Sequence, residues 1–288
     1  MSGTRSATVT DPETGTEPDP DPEELLAAAR EAAAAAVSLI VDERPTRLRV
    51  SDKSTSTDHV TEMDVASENR IREILGRLRP ADALLGEEHG GDLAADGVTW
   101  IIDPIDGTTN YLYDHPGYAV SVAAWVGGEP LVGVVADPTH RCTYWARRGA
   151  GSFCESGGTG AQRLALADPP PLERMLVATG FGYEPSRRAK QAEVVAELIS
   201  QIRDIRRMGA AAVDMCSVAA GRVDAYYEAG LSIWDLAAGQ LIATEAGAAV
   251  EAIEGGPPKP GSVLVCHPDR IDSMRSLLLS CGIESTLT

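Results

Sequence analysis

Trp100-Ile101-Ile102-Asp103-Pro104-Ile105-Asp106-Gly107-Thr108-Thr109-Asn110 is an apolar strand that runs straight into two acids flanking Pro-Ile. Pro104 fixes its own backbone and has no N–H for a neighbouring strand. The ladder is therefore expected to stop after Ile102, leaving Asp103, the Ile105 carbonyl and Asp106 free to turn toward one point. Hard oxygen donors arranged in this way suit Mg²⁺. Gly107-Thr108-Thr109 then presents free backbone N–H groups where a helix can begin, which forms a cradle for phosphate. Taken alone, the stretch is also compatible with an Asx-rich turn after a strand.

Working outward, Gly86-Glu87-Glu88 follows the apolar run Ala83-Leu84-Leu85, so two adjacent carboxylates stand just past another strand end. In isolation such a pair is a solvated loop, and only the company of Asp103 and Asp106 gives it meaning. Ile233-Trp234-Asp235-Leu236-Ala237-Ala238-Gly239 places Asp235 at a helix N-terminus, where capping alone accounts for it, although capping and metal ligation are not exclusive. Lys53-Ser54-Thr55-Ser56-Thr57-Asp58 leads through Val60-Thr61-Glu62-Met63-Asp64 into a helix. By itself that segment is a polar loop and a cap.

Around these segments the pattern reads as α+β passing into mixed α/β. Residues 1 to 20 read as a disordered acidic tail. Asp21-Pro22-Glu23-Glu24 is a helix start, and an alanine-rich helix is expected to run to about Glu43. A second helix over Glu62 to Leu78 sets Ile71, Ile74, Leu75 and Leu78 on one face; both helices are expected to pack on a sheet. Strands follow at Val98 to Ile102, Tyr118 to Val126, Leu131 to Ala136 and Thr143 to Ala146, with Gly127-Gly128-Glu129-Pro130 as a hairpin turn. An N-terminal half (21–155) is thus expected to carry most of the acids. In the C-terminal half (156–288) strands at Met175 to Ala178, Asp224 to Tyr227 and Ser262 to Cys266 alternate with helices near 187–203, 210–220 and 236–246.

The chain has 288 residues, 43% of them hydrophobic, enough for a large core, and a formal charge of −18. Residues 1 to 24 hold seven acids against Arg5, so about −12 remains on the rest. That balance argues against nucleic acid as a partner. It also repels an anionic substrate unless cations first turn the carboxylates into a positive site. Five scattered cysteines without a C-x-x-C pair suggest neither a disulfide framework nor a zinc site. With no long apolar run and no secretion signal, a cytoplasmic protein away from the membrane is expected.

In this order, K-S with Asp eleven residues on, G-E-E, D-P-I-D-G-T-T-N and W-D-L-A-A-G closely resemble the inositol monophosphatase family over roughly residues 23 to 285. The resemblance implies a layered α-β-α-β-α fold of the sugar phosphatase type, usually dimeric, with two or three Mg²⁺ per site hydrolysing a phosphate monoester. Carried over, Glu87, Asp103 and the Ile105 carbonyl resemble ligands of one ion, and Asp103, Asp106 and Asp235 those of a second. Asp64 and Thr108, with Glu87 close by, resemble the group that receives a proton from water. Gly107 and Thr108 resemble the phosphate cradle, Lys53 approaches that loop, and Glu88 supports the ligands from behind. Asp106, Gly209, Ala210, Ala211 and Glu228 match polyol-contacting positions, and Glu228 precedes Asp235 by the family's seven residues. Ala210 departs from the Ser or Thr of many relatives, which puts selectivity in doubt.

These matches imply an inositol-1-phosphate phosphatase acting on a small phosphorylated polyol as a homodimer. Fructose 1,6-bisphosphate, histidinol phosphate and adenosine bisphosphate are rival substrates within the superfamily. A different class of reading is a regulatory protein that binds the transcription machinery. His59, His89, His115, His140 and His267 show no metal-ligand spacing and are read as surface residues or supports, and Cys216 as a core residue. Arg203, Arg206 and Arg207 are read as a subunit interface or salt-bridge network.

Overall fold

The computed structural model describes residues 20–53, 55 and 58–287. The acidic segment expected over residues 1 to 20 lies outside them, Pro20 apart. Helix α1 (Pro22–Asp42) starts as its sequence dictates, with Asp21 accepting the Glu23 N–H at 2.9 Å and Pro22 in the first turn. Its buried stripe of Leu25, Ala29, Ala32, Ala36 and Ile40 follows helical spacing. Strands β1 (Val50–Asp52) and β2 (His59–Thr61) form a small antiparallel ribbon in what reads from sequence as a loop. Helix α2 (Glu62–Leu78) begins with a reciprocal capping box between Thr61 and Asp64. Ile71, Ile74 and Leu75 are buried, whereas Leu78, expected on the same face, is 38% exposed at the helix end.

Seven strands build the first sheet in sequence order: β3 (Ala83–Gly86), β4 (Val98–Asp106), β5 (Ala119–Val126), β6 (Glu129–Asp137), β7 (Cys142–Arg147), β8 (Gly151–Ser156) and β9 (Ala161–Arg163). Only the β3–β4 pair is parallel. All nine residues of β4 are buried, since helices cover both faces. The strand does not stop at Ile102 but runs on to Asp106. Asp103 pairs with Ser121 and Asp106 with Ala119, so β4 spends one extra residue there and bulges. Pro104 sits inside the bulge, where its missing N–H breaks no rung. Past Gly107 a short helix α3 (Thr108–Leu112) leads away. The ladder also continues beyond residue 155 into β9.

The second sheet has the order β11-β10-β12-β14-β13, built from β10 (Leu176–Thr179), β11 (Asp204–Arg206), β12 (Ala225–Ala229), β13 (Ala249–Glu251) and β14 (Ser262–Cys266). Strand β10 lies parallel to β11 and β12, and β14 antiparallel to β12 and β13. Helices α4 (Pro185–Leu198) and α8 (Ile271–Ser280) lie on its outer face, and α5 (Ala211–Ala219), α6 (Ile233–Leu236) and α7 (Gly239–Glu245) lie between the sheets. Alternation along each strand sends side chains into different cores. Trp100 and Ile102 face α1 and α2 while Ile101 faces α5 and α7. Tyr226 and Val265 face α5, while Tyr227 and Leu264 face α4 and α8. Four cores between five layers give the α-β-α-β-α arrangement.

Candidate active site

The bulge in β4 is what aims the two acids. Asp103 and Asp106 face Asp235 from α6, and one carboxylate oxygen from each lies within 4.8 Å of the others. Asp106 Oδ1 and Oδ2 accept the Ala211 and Ala212 N–H groups at 3.1 and 2.7 Å, so a residue from the first sheet caps α5. Asp235 Oδ2 accepts the Ser232 N–H at 2.5 Å. Asp235 is therefore a cap and a member of the cluster at once. Asp103 is 1% exposed, and its Oδ1 has no hydrogen-bond partner among the described residues.

Burial followed by the Glu87 charge holds Asp103 well above the usual carboxylate range, and burial followed by Asp106 does the same to Asp235. Asp106 is pushed up to about 7 by burial, opposed by the two amides of α5. Three buried carboxylates facing one another repel strongly, and an orphaned buried oxygen is costly. A divalent cation with oxygen ligands removes both penalties, so these residues fit Mg²⁺.

Glu87 joins from the end of β3. Burial raises it, while Lys53 Nζ at 2.7 Å and a hydrogen bond shared with Asp103 pull it back down. Lys53 also reaches Glu88 Oε1 at 2.5 Å. Behind them the fully buried Glu68 accepts the Glu88 N–H at 2.7 Å and Arg72 Nε at 2.7 Å. Sequence reasoning missed Glu68 because it sits mid-helix with nothing to mark it.

Asp64 is fully buried in the first turn of α2. Its Oδ2 accepts the Thr61 N–H at 2.8 Å and hydroxyl at 2.6 Å, and its Oδ1 faces Thr108 Oγ1 at 2.9 Å. Burial raises its pKa. Gly107 has φ +88°, and a Cβ there would lie 2.7 Å from the Gly117 carbonyl, so no other residue fits this approach.

The carboxylate cluster, Glu87, Lys53 and the Gly107-Thr108 turn line one cavity of about 500 Å³. Its walls include Lys53, Glu87, Asp103, Ile105, Asp106, Gly107, Thr108, Gly209, Ala211, Glu228 and Asp235, from both halves of the chain. Glu228 Oε2 accepts the Tyr226 hydroxyl at 2.8 Å. Ala210 stands apart: it is 2% exposed at the start of α5 and is not on the wall. Glu88 and Asp64 likewise support the wall from behind. Unforeseen wall residues are His59, Phe181, Tyr183, Arg187, Arg207 and Trp234. Of the arginines read as an interface or salt-bridge group, Arg206 does pair with Asp204 at 2.7 Å, but Arg207 lines this cavity. Nothing in its sequence neighbourhood separates the two. Cys216 is fully buried on α5, as expected of a core residue, and all five cysteines are free thiols. No helix among the described residues is long and apolar enough to cross a membrane.

The sequence profile described as the inositol monophosphatase family matches residues 21–277. Inositol-1-monophosphatase SuhB of Mycobacterium tuberculosis is 44% identical over 250 residues, 82% of this chain and 86% of that protein. Nus factor SuhB of Pasteurella multocida is 40% identical over 216 residues, 74% and 79% of the respective chains. Among solved structures, Mycobacterium tuberculosis SuhB aligns with a TM-score of 0.76 at 39% identity, covering 91% of this chain and 98% of that one. The Thermotoga maritima IMPase aligns with a TM-score of 0.82 at 26% identity, covering 91% and 99%. The matched span begins one residue before α1 and takes in both sheets and every residue of the cavity, and the chain accordingly belongs to the inositol monophosphatase family of phosphoric monoester hydrolases.

Proposed function

We propose that this phosphatase hydrolyses monophosphates of small polyols, inositol 1-phosphate foremost, with Mg²⁺ as cofactor. The observation that carries the reading is the convergence of Asp103, Asp106 and Asp235 on one buried point, with Asp103 Oδ1 unpaired among the described residues, in a cavity whose wall also holds Glu228. Glu87, Asp103 and the Ile105 carbonyl would hold one ion, and Asp103, Asp106 and Asp235 a second. When bound, Mg²⁺ supplies the positive charge that offsets these carboxylates and polarises the phosphate.

The remaining steps belong to the chain. Gly107 and Thr108 offer backbone N–H groups to the phosphate oxygens. The Thr108 hydroxyl takes a proton from the attacking water while passing its own to Asp64, a carboxylate whose raised pKa makes it a better acceptor. Lys53 holds Glu87 and Glu88 in place. Glu228 accepts hydrogen bonds from polyol hydroxyls, which adenine and imidazole do not offer in the same way. A homodimer is the assembly we expect, from the resemblance to the family.

Phosphate release measured across inositol 1-phosphate, fructose 1,6-bisphosphate, histidinol phosphate and adenosine bisphosphate, with Mg²⁺ and with EDTA, tests the proposal. Highest kcat/KM on the inositol ester, abolished by EDTA, supports it. Turnover that EDTA leaves intact, or a clear preference for a substrate without a polyol, overturns it. A second reading, association with the transcription machinery, rests on the relatives named Nus factor SuhB. Capture of RNA polymerase by wild-type and Asp103→Asn protein alike would favour that role as separate from catalysis.

A further inference from the structure

Strands β7 and β8 bring two thiols together apart from the active-site cavity, whose wall includes neither. Cys142 lies opposite Ser156 and Tyr144 opposite Cys154, so Cys142 and Cys154 stand diagonally on one face of the ladder, packed toward α5. Cys142 Sγ lies 3.4 Å from Ser156 Oγ and accepts the Arg222 Nη2–H at 3.4 Å. Burial pushes the Cys142 thiol up, yet the Ser156 hydroxyl and Arg222 outweigh it and leave the thiol below its ordinary value. Burial followed by the neighbouring Cys142 pushes Cys154 up to about 12, and burial raises the other three thiols as well. The thiolate is the nucleophilic form, so the pair is asymmetric: Cys142 is set to attack while Cys154 keeps its proton.

A cavity of about 420 Å³ leads to Cys142 and not to Cys154. It lies between α1 and the turn joining β6 to β7, and Val37, Val41, Asp137, Arg141 and Thr143 line it with Cys142. Cys142 is only 2% exposed, so the opening suits a small reagent rather than a protein partner. Diagonal positions on neighbouring strands are about 7–8 Å apart, just beyond the reach of a disulfide, so closure needs the end of β8 to move by about 1 Å. Gly157 and Gly158, which follow β8, have open space where a Cβ would stand, and the turn they make leaves room for that movement.

We propose that Cys142 and Cys154 form a peroxide-sensitive modification site, with Cys142 as the attacking sulfur, Arg222 as the group that holds its thiolate, and Cys154 as the resolving sulfur. The Cys142 thiolate attacks one peroxide oxygen and the O–O bond breaks. Sulfur is oxidised to the sulfenic acid, and the peroxide is reduced to hydroxide, which takes up a proton to become water. The Cys154 sulfur then attacks Cys142 Sγ, the S–O bond breaks, and the hydroxide leaves with the Cys154 proton as a second water. Two equivalents of a thiol reductant return both side chains to thiols.

The test treats the reduced full-length protein with hydrogen peroxide, blocks the remaining thiols and digests with trypsin, which separates the peptide Cys142–Arg147 from Gly149–Arg163. The expected result in wild-type is a dithiothreitol-reversible link between these two peptides, formed before any other cysteine is oxidised. Cys154→Ser should instead accumulate a sulfenic acid at Cys142 that dimedone traps. Arg222→Gln should slow the oxidation of Cys142 by about tenfold, as a rise of one unit in a thiol pKa does. Cys142→Ser should form no link and lose its other thiols only slowly. A wild-type protein whose five cysteines are oxidised at similar rates, or whose Cys142 is modified without linkage to Cys154, overturns the proposal, and so does an Arg222→Gln protein that reacts as fast as wild-type. The wild-type digest decides between these outcomes even if a variant fails to fold.

Discussion

Thr108 Oγ1 lies 2.9 Å from Asp64 Oδ1, a contact between residues 44 positions apart that ties the residue after the β4 bulge to the first turn of α2. Because Thr61 occupies the other carboxylate oxygen, Asp64 has one way to face the cavity. Asp64→Asn should lower kcat by about 10²–10⁴, the usual worth of a placed acid or base, with KM changed little. Thr108→Val should act in the same direction. If Asp64 only caps α2, Asp64→Asn will cost stability and leave kcat intact, and steady-state kinetics beside a melting curve tells the two apart.

Metal binding should be linked to pH with a definite sign. Asp103, Asp106 and Asp235 are all raised by burial, Asp106 to about 7, so without metal the folded protein binds protons more tightly than the unfolded chain. Their contribution to metal-free stability is complete below the unfolded carboxylate pKa and is lost as pH rises through about 7. Mg²⁺ competes with those protons. The rise in Tm on replacing EDTA by Mg²⁺ should therefore be larger at pH 8 than at pH 6. An equal rise at both would mean that these carboxylates do not hold the ion.

Gly86 is fixed by contact rather than by φ. A Cβ there would meet Glu68 Oε1 at 2.1 Å, and Glu68 is pinned by Arg72 and by the Glu88 amide. Gly86→Ala should destabilise the protein by about 1–3 kcal/mol, as overpacking a close-packed site does. It should also weaken Mg²⁺ binding by shifting Glu87. Thermal melting and a Mg²⁺ titration check both, and a variant that melts like wild-type would mean Glu68 yields freely.

Much of this arrangement was legible because its signals are local. Asp21-Pro22 marks the start of α1, and Thr61 with Asp64 marks that of α2, so both helices begin where the sequence places them. The carboxylate segments carry turn-forming neighbours that mark them as strand ends. The bulge was not legible, since Pro104 argues for a strand end and only the pairing partner β5 turns it into a register shift. Nor were Glu68 and Arg207, which owe their positions to long-range packing between α2, β3 and the start of α5. Ala210 shows the converse: its lack of a capping hydroxyl is compensated by Asp106, a residue 104 positions away in the chain.

The central claim is that Asp235 converges with Asp103 and Asp106 to hold a catalytic metal ion, and Asp235→Asn tests it most directly. Asn can still accept the Ser232 N–H through its amide oxygen, and it removes one of three repelling buried charges. The metal-free variant should melt at or slightly above the wild-type temperature. With the charge gone, kcat at saturating Mg²⁺ should fall at least about a hundredfold, given the several kcal/mol that metal charge stabilisation supplies. A variant that melts normally and turns over at the wild-type rate in low-millimolar Mg²⁺ would contradict the account and leave Asp235 a helix cap alone.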